Sequence, residues 1–179
     1  DHSVHADKAE INCVYCHNSA EKSRHAGIPS VNVCMNCHRD IQEGNNTGKE
    51  EIAKIHAAAG FDADKNQYTG EATPIVWNKV HNLPDHVYFN HSQHVAVGKL
   101  DCAQCHGDVK NIKTGQVATR EELNAVEENS IKFTKQTLTM GWCLDCHNQI
   151  GVQSEGSEYY DEIHKRLKNN PELLKKFKE

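Results

Sequence analysis

The chain has 179 residues, of which 37% are hydrophobic, and its formal net charge is −5 at pH 7. Its apolar runs are a few residues long, which excludes within it a membrane-spanning helix of about 18 apolar residues, and the acidic balance argues against a basic nucleic-acid-binding surface. Leu, Ile, Val and Phe make up about a fifth of the chain, a level typical of disorder. We therefore expect something other than side chains to fill much of the interior.

Capping signals predict four helices along the chain. Their starts are marked, in chain order, by Thr47, Thr119, Ser157 and Pro171. The first is expected near residues 48–59 and is closed by Gly60. Short extended pieces are expected at 74–80 and 86–90. The pattern predicts a fold that is mainly α with much irregular structure and little β.

All eight cysteines belong to four copies of C-x-x-C-H. The copies comprise Cys13, Cys16 and His17; Cys34, Cys37 and His38; Cys102, Cys105 and His106; and Cys143, Cys146 and His147. This is the attachment motif of c-type haem. The two thiols add to the porphyrin vinyl groups, and the histidine ligates the iron from the proximal side. The sequence therefore predicts four covalently bound c-type haems.

Three other uses of paired cysteines compete with this interpretation. A disulfide framework explains an even number of cysteines, but not a histidine after every second one. A structural zinc site fits the 17-residue gap between the first two motifs but not the 37-residue gap between the last two. A thioredoxin-like site requires a βαβ context that the pattern lacks. Zinc is the strongest of these alternatives.

An internal repeat places further histidines. Residues 2–17 align without a gap with residues 91–106, at a constant offset of 89. Each copy begins with H-x-x-H: His2 and His5 in the first, His91 and His94 in the second. In both copies these histidines precede the first cysteine by eleven and eight positions. Repeated spacing indicates a repeated geometry.

The H-x-x-H pairs are candidates for the distal iron positions. Residues three apart share one face of a helical turn, and one iron has a single distal position, so the two imidazoles of a pair should serve two different haems. We therefore expect His2, His5, His91 and His94 to complete bis-histidine ligation at four irons. Surface histidine is the alternative for either pair.

Other residues are weaker candidates. His81 lies in an apolar segment broken by Pro84 and could be a distal ligand or a packing residue. Met140 precedes Cys143 by three positions and could be an axial ligand, which would raise the potential of that haem, although packing is the simpler interpretation. For His56, packing and ligation are equally good interpretations.

Three stretches resemble a known family. They are SAEKSRHAGIPSVNVCMNCH, VHNLPDHVYFNHSQHV and TMGWCLDCHNQ, and they are similar to the multihaem cytochrome c subunit of alternative complex III, the bacterial quinol-oxidising assembly unrelated to cytochrome bc1. The resemblance covers roughly residues 1–165. The F-x-H-x-x-H element at Phe89 also resembles that of c3-type tetrahaem cytochromes, where the two histidines ligate different haems.

The resemblance implies an architecture and a location. It implies a compact tetrahaem domain with c3/c7-like haem packing, which we expect over 1–156. The capping signals predict a helical tail over 157–179, which we expect to pack on it or on a partner. Position 0 would match Phe89 in the first repeat, so we expect the chain to be a portion of a longer protein, with a membrane segment or a further haem domain upstream. It also implies the periplasmic side of the bacterial cytoplasmic membrane.

The resemblance further implies electron transfer. The expected partners are iron–sulfur and quinol-oxidising subunits and a monohaem cytochrome, with electrons passed towards a cytochrome or terminal oxidase and no substrate chemistry in this chain. A multihaem reductase of a small oxyanion is the main alternative, and it requires one iron with an open distal position. A zinc-bound interaction module is the third.

Overall fold

The computed structural model describes residues 1–112, 116–127, 130–150, 165–166 and 168–170. Within them the helices are α1 (Cys13–Cys16), α2 (Val31–His38), α3 (Glu50–Ala59), α4 (Cys102–His106), α5 (Arg120–Asn124) and α6 (Met140–Gln149). Two short π-helical turns, Ser3–Lys8 and Gln93–Val97, precede α1 and α4. In this part of the chain no helix is long and apolar enough to cross a bilayer. The helix starts predicted at Ser157 and Pro171 lie outside the described residues.

The cap predictions have different outcomes for α3 and α5. The capping box at Thr119 is confirmed: its side chain accepts from the backbone N–H of Glu122, and the Glu122 carboxylate accepts in return. The box at Thr47 is wrong, because α3 begins at Glu50 after Lys49 and has no side-chain cap. Residues 44–48 instead form a tight turn in which the two end backbones exchange hydrogen bonds of 2.8 and 2.9 Å.

The C-terminus of α3 ends as the sequence predicts. Gly60 adopts the left-handed conformation at φ 64°, and its N–H donates to the carbonyls of Ala57 and His56. A Cβ at this position would lie 2.5 Å from the Gly70 carbonyl oxygen. Both the conformation and the close approach therefore require glycine.

The extended pieces predicted at 74–80 and 86–90 do not pair as strands. The described strands are β1 (Phe61–Asp62) and β2 (Gln67–Tyr68), which form an antiparallel hairpin directly after α3. Residues 74–80 have little packing to order them, since the Val76 side chain is 94% exposed. An apolar run without a neighbouring strand to complete its hydrogen bonds does not form a sheet.

Buried apolar side chains of the described residues form two small clusters. One contains Leu123 of α5, Trp142 of α6, Ile131 and Phe133 from the segment between these helices, and Ala118 just before α5. The other contains Met35, Ala59 and Phe61, where α2 packs on α3 and β1. Many large apolar side chains elsewhere in the described residues are exposed. The side chains therefore bury little apolar surface outside these two clusters.

Candidate haem sites

Each C-x-x-C pair lies on a helix, so its two thiols are one turn apart on the same face. The side chain of Asn12 accepts from the N–H of Val14 at 3.1 Å at the start of α1. In the same way Asp101 accepts from Ala103 at 2.8 Å at the start of α4. All eight thiols are free of disulfides, so both sulfurs of every motif are available for attachment.

The two H-x-x-H segments fold alike. Each contains a π-helical hydrogen bond at the equivalent position. The Ala9 N–H donates to the Val4 carbonyl at 3.0 Å, and the Gly98 N–H donates to the Gln93 carbonyl at 2.9 Å. Glu10 and Lys99, 89 positions apart, share a positive φ of 51° and 54°. The equal sequence spacing thus accompanies an equal backbone path.

Five of the predicted iron ligands hold their Nδ1 atoms in the same way. In each case Nδ1–H donates to a backbone carbonyl, since a carbonyl oxygen can only accept. The donors are His5 (to Asp1, 3.0 Å), His17 (to Gly27, 2.8 Å), His38 (to Ile41, 2.9 Å), His91 (to Arg24, 3.0 Å) and His94 (to Asn90, 2.8 Å). This hydrogen bond selects the tautomer with a free Nε2 lone pair, which is the usual arrangement of a metal-bound histidine.

The structure brings distal and proximal candidates together in pairs. The ring centroids of His91 and His106 are 6.5 Å apart, with planes 1° from parallel. Those of His94 and His147 are 6.2 Å apart, and those of His5 and His38 are 5.9 Å apart. Three of the four proximal histidines therefore face a distal candidate.

These separations fit an iron between each pair of rings. Two imidazoles on opposite sides of one metal, each bound through a nitrogen at about 2 Å, have centroids roughly 6.3 Å apart. The three observed values lie within a few tenths of an ångström of that figure. The residues present therefore fit bis-histidine haem.

His2 and His17 are the remaining distal and proximal candidates. Burial lowers the pKa of His2, with further lowering from the N-terminal amine and from His17. A neutral imidazole is the form that ligates metal. The same holds for His106, whose pKa burial lowers to about 4, with His81 and His91 adding to the shift.

The weaker candidates differ in their surroundings. The His81 ring lies 5.0 Å from that of His106, edge to face, and its buried Nδ1 has no hydrogen-bond partner. His81 therefore lies close enough to contact a group bound by His106. Met140, on α6, is 63% exposed, and none of the described contacts directs it to a proximal histidine.

Two supporting residues were not identified as such from the sequence. His56 is buried, and its Nε2 donates to the His38 carbonyl at 2.7 Å while its ring tilts against Phe61. Phe89 contacts both histidines of the second H-x-x-H pair, with ring centroids 4.9 Å from His91 and 4.4 Å from His94. The Phe-x-His spacing was the available signal for Phe89, whereas nothing in the sequence distinguishes the His56 hydrogen bond.

The described residues contain no group of three or more His, Cys, Asp or Glu side chains arranged to hold a bare metal ion. A structural zinc site requires four converging ligands. The thiols lie instead in helical pairs with apolar neighbours: Cys105, Cys143 and Cys146 pack against the cluster around Trp142. Burial raises the pKa of the Cys105 thiol to about 12, with Cys146 adding to the rise.

Comparison with known proteins defines the class. The chain belongs to the family described as outer membrane cytochrome MtrC/MtrF-like, domains II/IV, whose model matches residues 7–175. It is therefore a multihaem c-type cytochrome, a class whose haems are covalently bound. It is also similar to the menaquinone reductase, multiheme cytochrome c subunit, of Nitratidesulfovibrio vulgaris strain Hildenborough, at 29% identity over 87% of this chain and 70% of the relative.

Proposed function

We propose that the chain is a tetrahaem electron-transfer subunit of a quinol-linked respiratory complex. The observation that carries the proposal is the set of three histidine pairs separated by the width of a bis-ligated iron. The relative whose name includes menaquinone reductase supports the link to a quinol. Residues 1–156 would form the haem domain, mainly α with c3/c7-like packing, with 157–179 as a tail.

The proposed site residues have distinct tasks. The eight motif cysteines hold the four haems, and His17, His38, His106 and His147 bind the irons from the proximal side. His2, His5, His91 and His94 close the distal positions, and the backbone carbonyls fix the ring orientation of five of these histidines. When bound, haem supplies a one-electron couple, and bis-histidine ligation places it at a lower potential than Met/His ligation.

The partners and location form part of the same proposal. Iron–sulfur and quinol-oxidising subunits and a monohaem cytochrome are the proposed partners, and the outer side of the cytoplasmic membrane is the proposed location. The family description, outer membrane cytochrome, supports a location outside the cytoplasm. We propose alternative complex III, or an assembly of the same quinol-oxidising class, as the complex.

Two measurements on the purified protein test this proposal. Intact mass with a pyridine haemochrome assay should give four haems per chain, and a bare chain mass would overturn the proposal. Carbon monoxide added to the reduced protein should leave the spectrum unchanged, since all four irons have two protein ligands. Rapid binding at one haem would favour the oxyanion reductase instead.

A further inference from the structure

One loop holds ligands that belong to two different motifs. The Gly27 carbonyl accepts from Nδ1 of His17, the proximal histidine of the first motif, at 2.8 Å. Three residues earlier, the Arg24 carbonyl accepts from Nδ1 of His91, which faces His106 of the third motif, at 3.0 Å. The neighbouring Ser23 carbonyl accepts from the Ser92 N–H at 3.1 Å. The loop from Ser23 to Gly27 therefore joins the first motif to the third.

The thiols of these two motifs also meet. Burial raises the pKa of Cys102, the first cysteine of the third motif, and the neighbouring thiol of Cys13, the first cysteine of the first motif, adds to the rise. The two residues are 89 positions apart, at the same place in the two copies of the repeat. The repeats thus meet through equivalent thiols.

The first motif lies against the second through their spacer residues. Asn36 donates its side-chain N–H to the Tyr15 hydroxyl at 3.0 Å, and each is the second spacer residue of its C-x-x-C. The first H-x-x-H pair reaches the second motif, since His5 faces His38, and in the proposed ligation His2 serves His17 of the first motif.

The third motif lies against the fourth. His91 and His94, three residues apart, face His106 and His147 respectively. Cys105 of the third motif and both cysteines of the fourth pack on the same apolar cluster. Each H-x-x-H pair therefore spans two motifs, and the Ser23–Gly27 loop spans the remaining junction.

From these three junctions we infer that the motifs lie in the spatial order second, first, third, fourth, which differs from their order in the chain. The inference rests on the proposed function and extends it: the second and fourth motifs are the two ends of the electron path, and the first and third are interior. An electron entering at the second motif passes the Ser23–Gly27 junction before it reaches the fourth.

Nuclear Overhauser spectroscopy on the fully reduced holoprotein tests this order without any substitution, because low-spin ferrous bis-histidine haem is diamagnetic. We expect cross-peaks that join the thioether groups at Cys13 and Cys102, and others that join the first motif to the second and the third to the fourth. Cross-peaks between the second and third motifs, with none between the first and third, would overturn the order.

The number of haems adjacent to a given haem provides an independent test. His2→Met and His5→Met should each raise the potential of one haem, at the first and second motif respectively, so that this haem can be reduced alone. In His2→Met, reduction of this haem should shift the ferric resonances of two neighbouring haems, because the first motif is interior. In His5→Met it should shift those of one neighbouring haem, because the second motif is at an end. The reverse result would contradict the order, and exposed His86→Met serves as the control that leaves all four haems as in the parent.

Intact mass separates the two ways of failing. A chain that lacks bound haem would contradict the proposed function. A chain with four haems and the wrong neighbour pattern would contradict the spatial order alone. If a variant loses a haem, the cross-peak measurement on the unmodified protein decides the order instead.

Discussion

A backbone carbonyl at Nδ1 sets five of the eight candidate ligands apart from the structural histidine of α3. His17, His38 and His94 donate from Nδ1 and keep Nε2 free, whereas His56 donates from Nε2. The sequence selects His17 and His38 because the attachment motif places a proximal histidine directly after the second cysteine, and it selects His94 through the repeated H-x-x-H. It leaves His56 undecided, because the acceptor is a carbonyl 18 residues away that only the packing of α2 on α3 brings near.

Replacing one distal histidine should change one potential. In His94→Met the haem held by His147 would gain a thioether ligand, which raises the reduction potential relative to bis-histidine ligation. Spectroelectrochemical titration should show one of the four components move upward. The control, exposed His86→Met, should titrate like the parent; an unchanged titration of His94→Met would show that His94 is not an axial ligand.

The buried histidine of α3 should contribute to stability. His56→Phe keeps the ring against Phe61 but removes the donor to the His38 carbonyl, a loss that costs about 1–3 kcal/mol. Denaturant unfolding of the holoprotein should show the lower free energy of unfolding. His86→Phe, at an exposed position, should unfold like the parent, and equal stability of the two variants would contradict this role.

At the scale of elements, sequence signals predict a helix end correctly where the hydrogen bonds of that end are made within a few residues. The α5 capping box and the Gly60 terminus are complete within a few residues, so the sequence predicts both. Thr47 has the same spacing to Glu50, yet the turn closed by Gly44 and Gly48 takes up that segment. The β1–β2 hairpin was missed because strands of two residues leave too short an alternation to recognise.

Gly107, directly after His106, should tolerate no side chain. Its φ of 69° and ψ of −170° lie in a region restricted to glycine, and a Cβ would lie 2.8 Å from the Ala118 Cβ and 3.5 Å from Leu123 Cδ2. Gly107→Ala should lower the free energy of unfolding by more than about 2 kcal/mol.

Gly48→Ala is the matched control for that substitution. Gly48 also has a positive φ, 61°, but a Cβ there meets no atom within 4 Å, so the variant measures the backbone cost of about 1 kcal/mol alone. Chemical unfolding of both variants gives the comparison. If Gly48→Ala were as destabilising as Gly107→Ala, the close contacts around Gly107 would not be the cause.

Removing the α5 cap should have a measurable cost. Thr119→Ala eliminates the acceptor of the Glu122 N–H, for which about 1 kcal/mol is typical. Because Leu123 of α5 is fully buried in the cluster with Trp142, fraying of this helix should lower the stability of the whole domain. The unfolding midpoint of Thr119→Ala should fall below that of Thr69→Ala, a change at an exposed position outside any helix.

At the scale of the whole molecule, side chains alone bury little apolar surface. Among the described residues the two apolar clusters lie at separate places, and every motif cysteine is left at least partly accessible. Composition anticipated this shortage, since the low content of branched aliphatic residues is visible in the sequence. The placement of the motifs relative to one another was not predictable, because it depends on contacts between residues distant in the chain, such as Arg24 and His91, which are 67 positions apart.

The chain should not fold without haem. Expressed without haem attachment, it would lack the apolar groups that four porphyrins supply, and it should give a disordered far-ultraviolet circular dichroism spectrum and rapid proteolysis. The holoprotein, in the same buffer, is the control and should resist the protease. A haem-free chain with the helical content of the holoprotein would show that side-chain packing suffices.

The two H-x-x-H segments differ in how far they depend on the rest of the chain. His5 and His94 take their carbonyl acceptors from residues four positions upstream, so a short excised peptide already contains what orients them. His91 takes its acceptor from Arg24, in the loop that follows the first copy of the repeat. The second copy of the repeat therefore cannot orient both of its histidines without the first part of the chain. If the two parts were separated, His94 would keep its acceptor and His91 would lose it, so the orientation of both histidines requires the two copies in one chain.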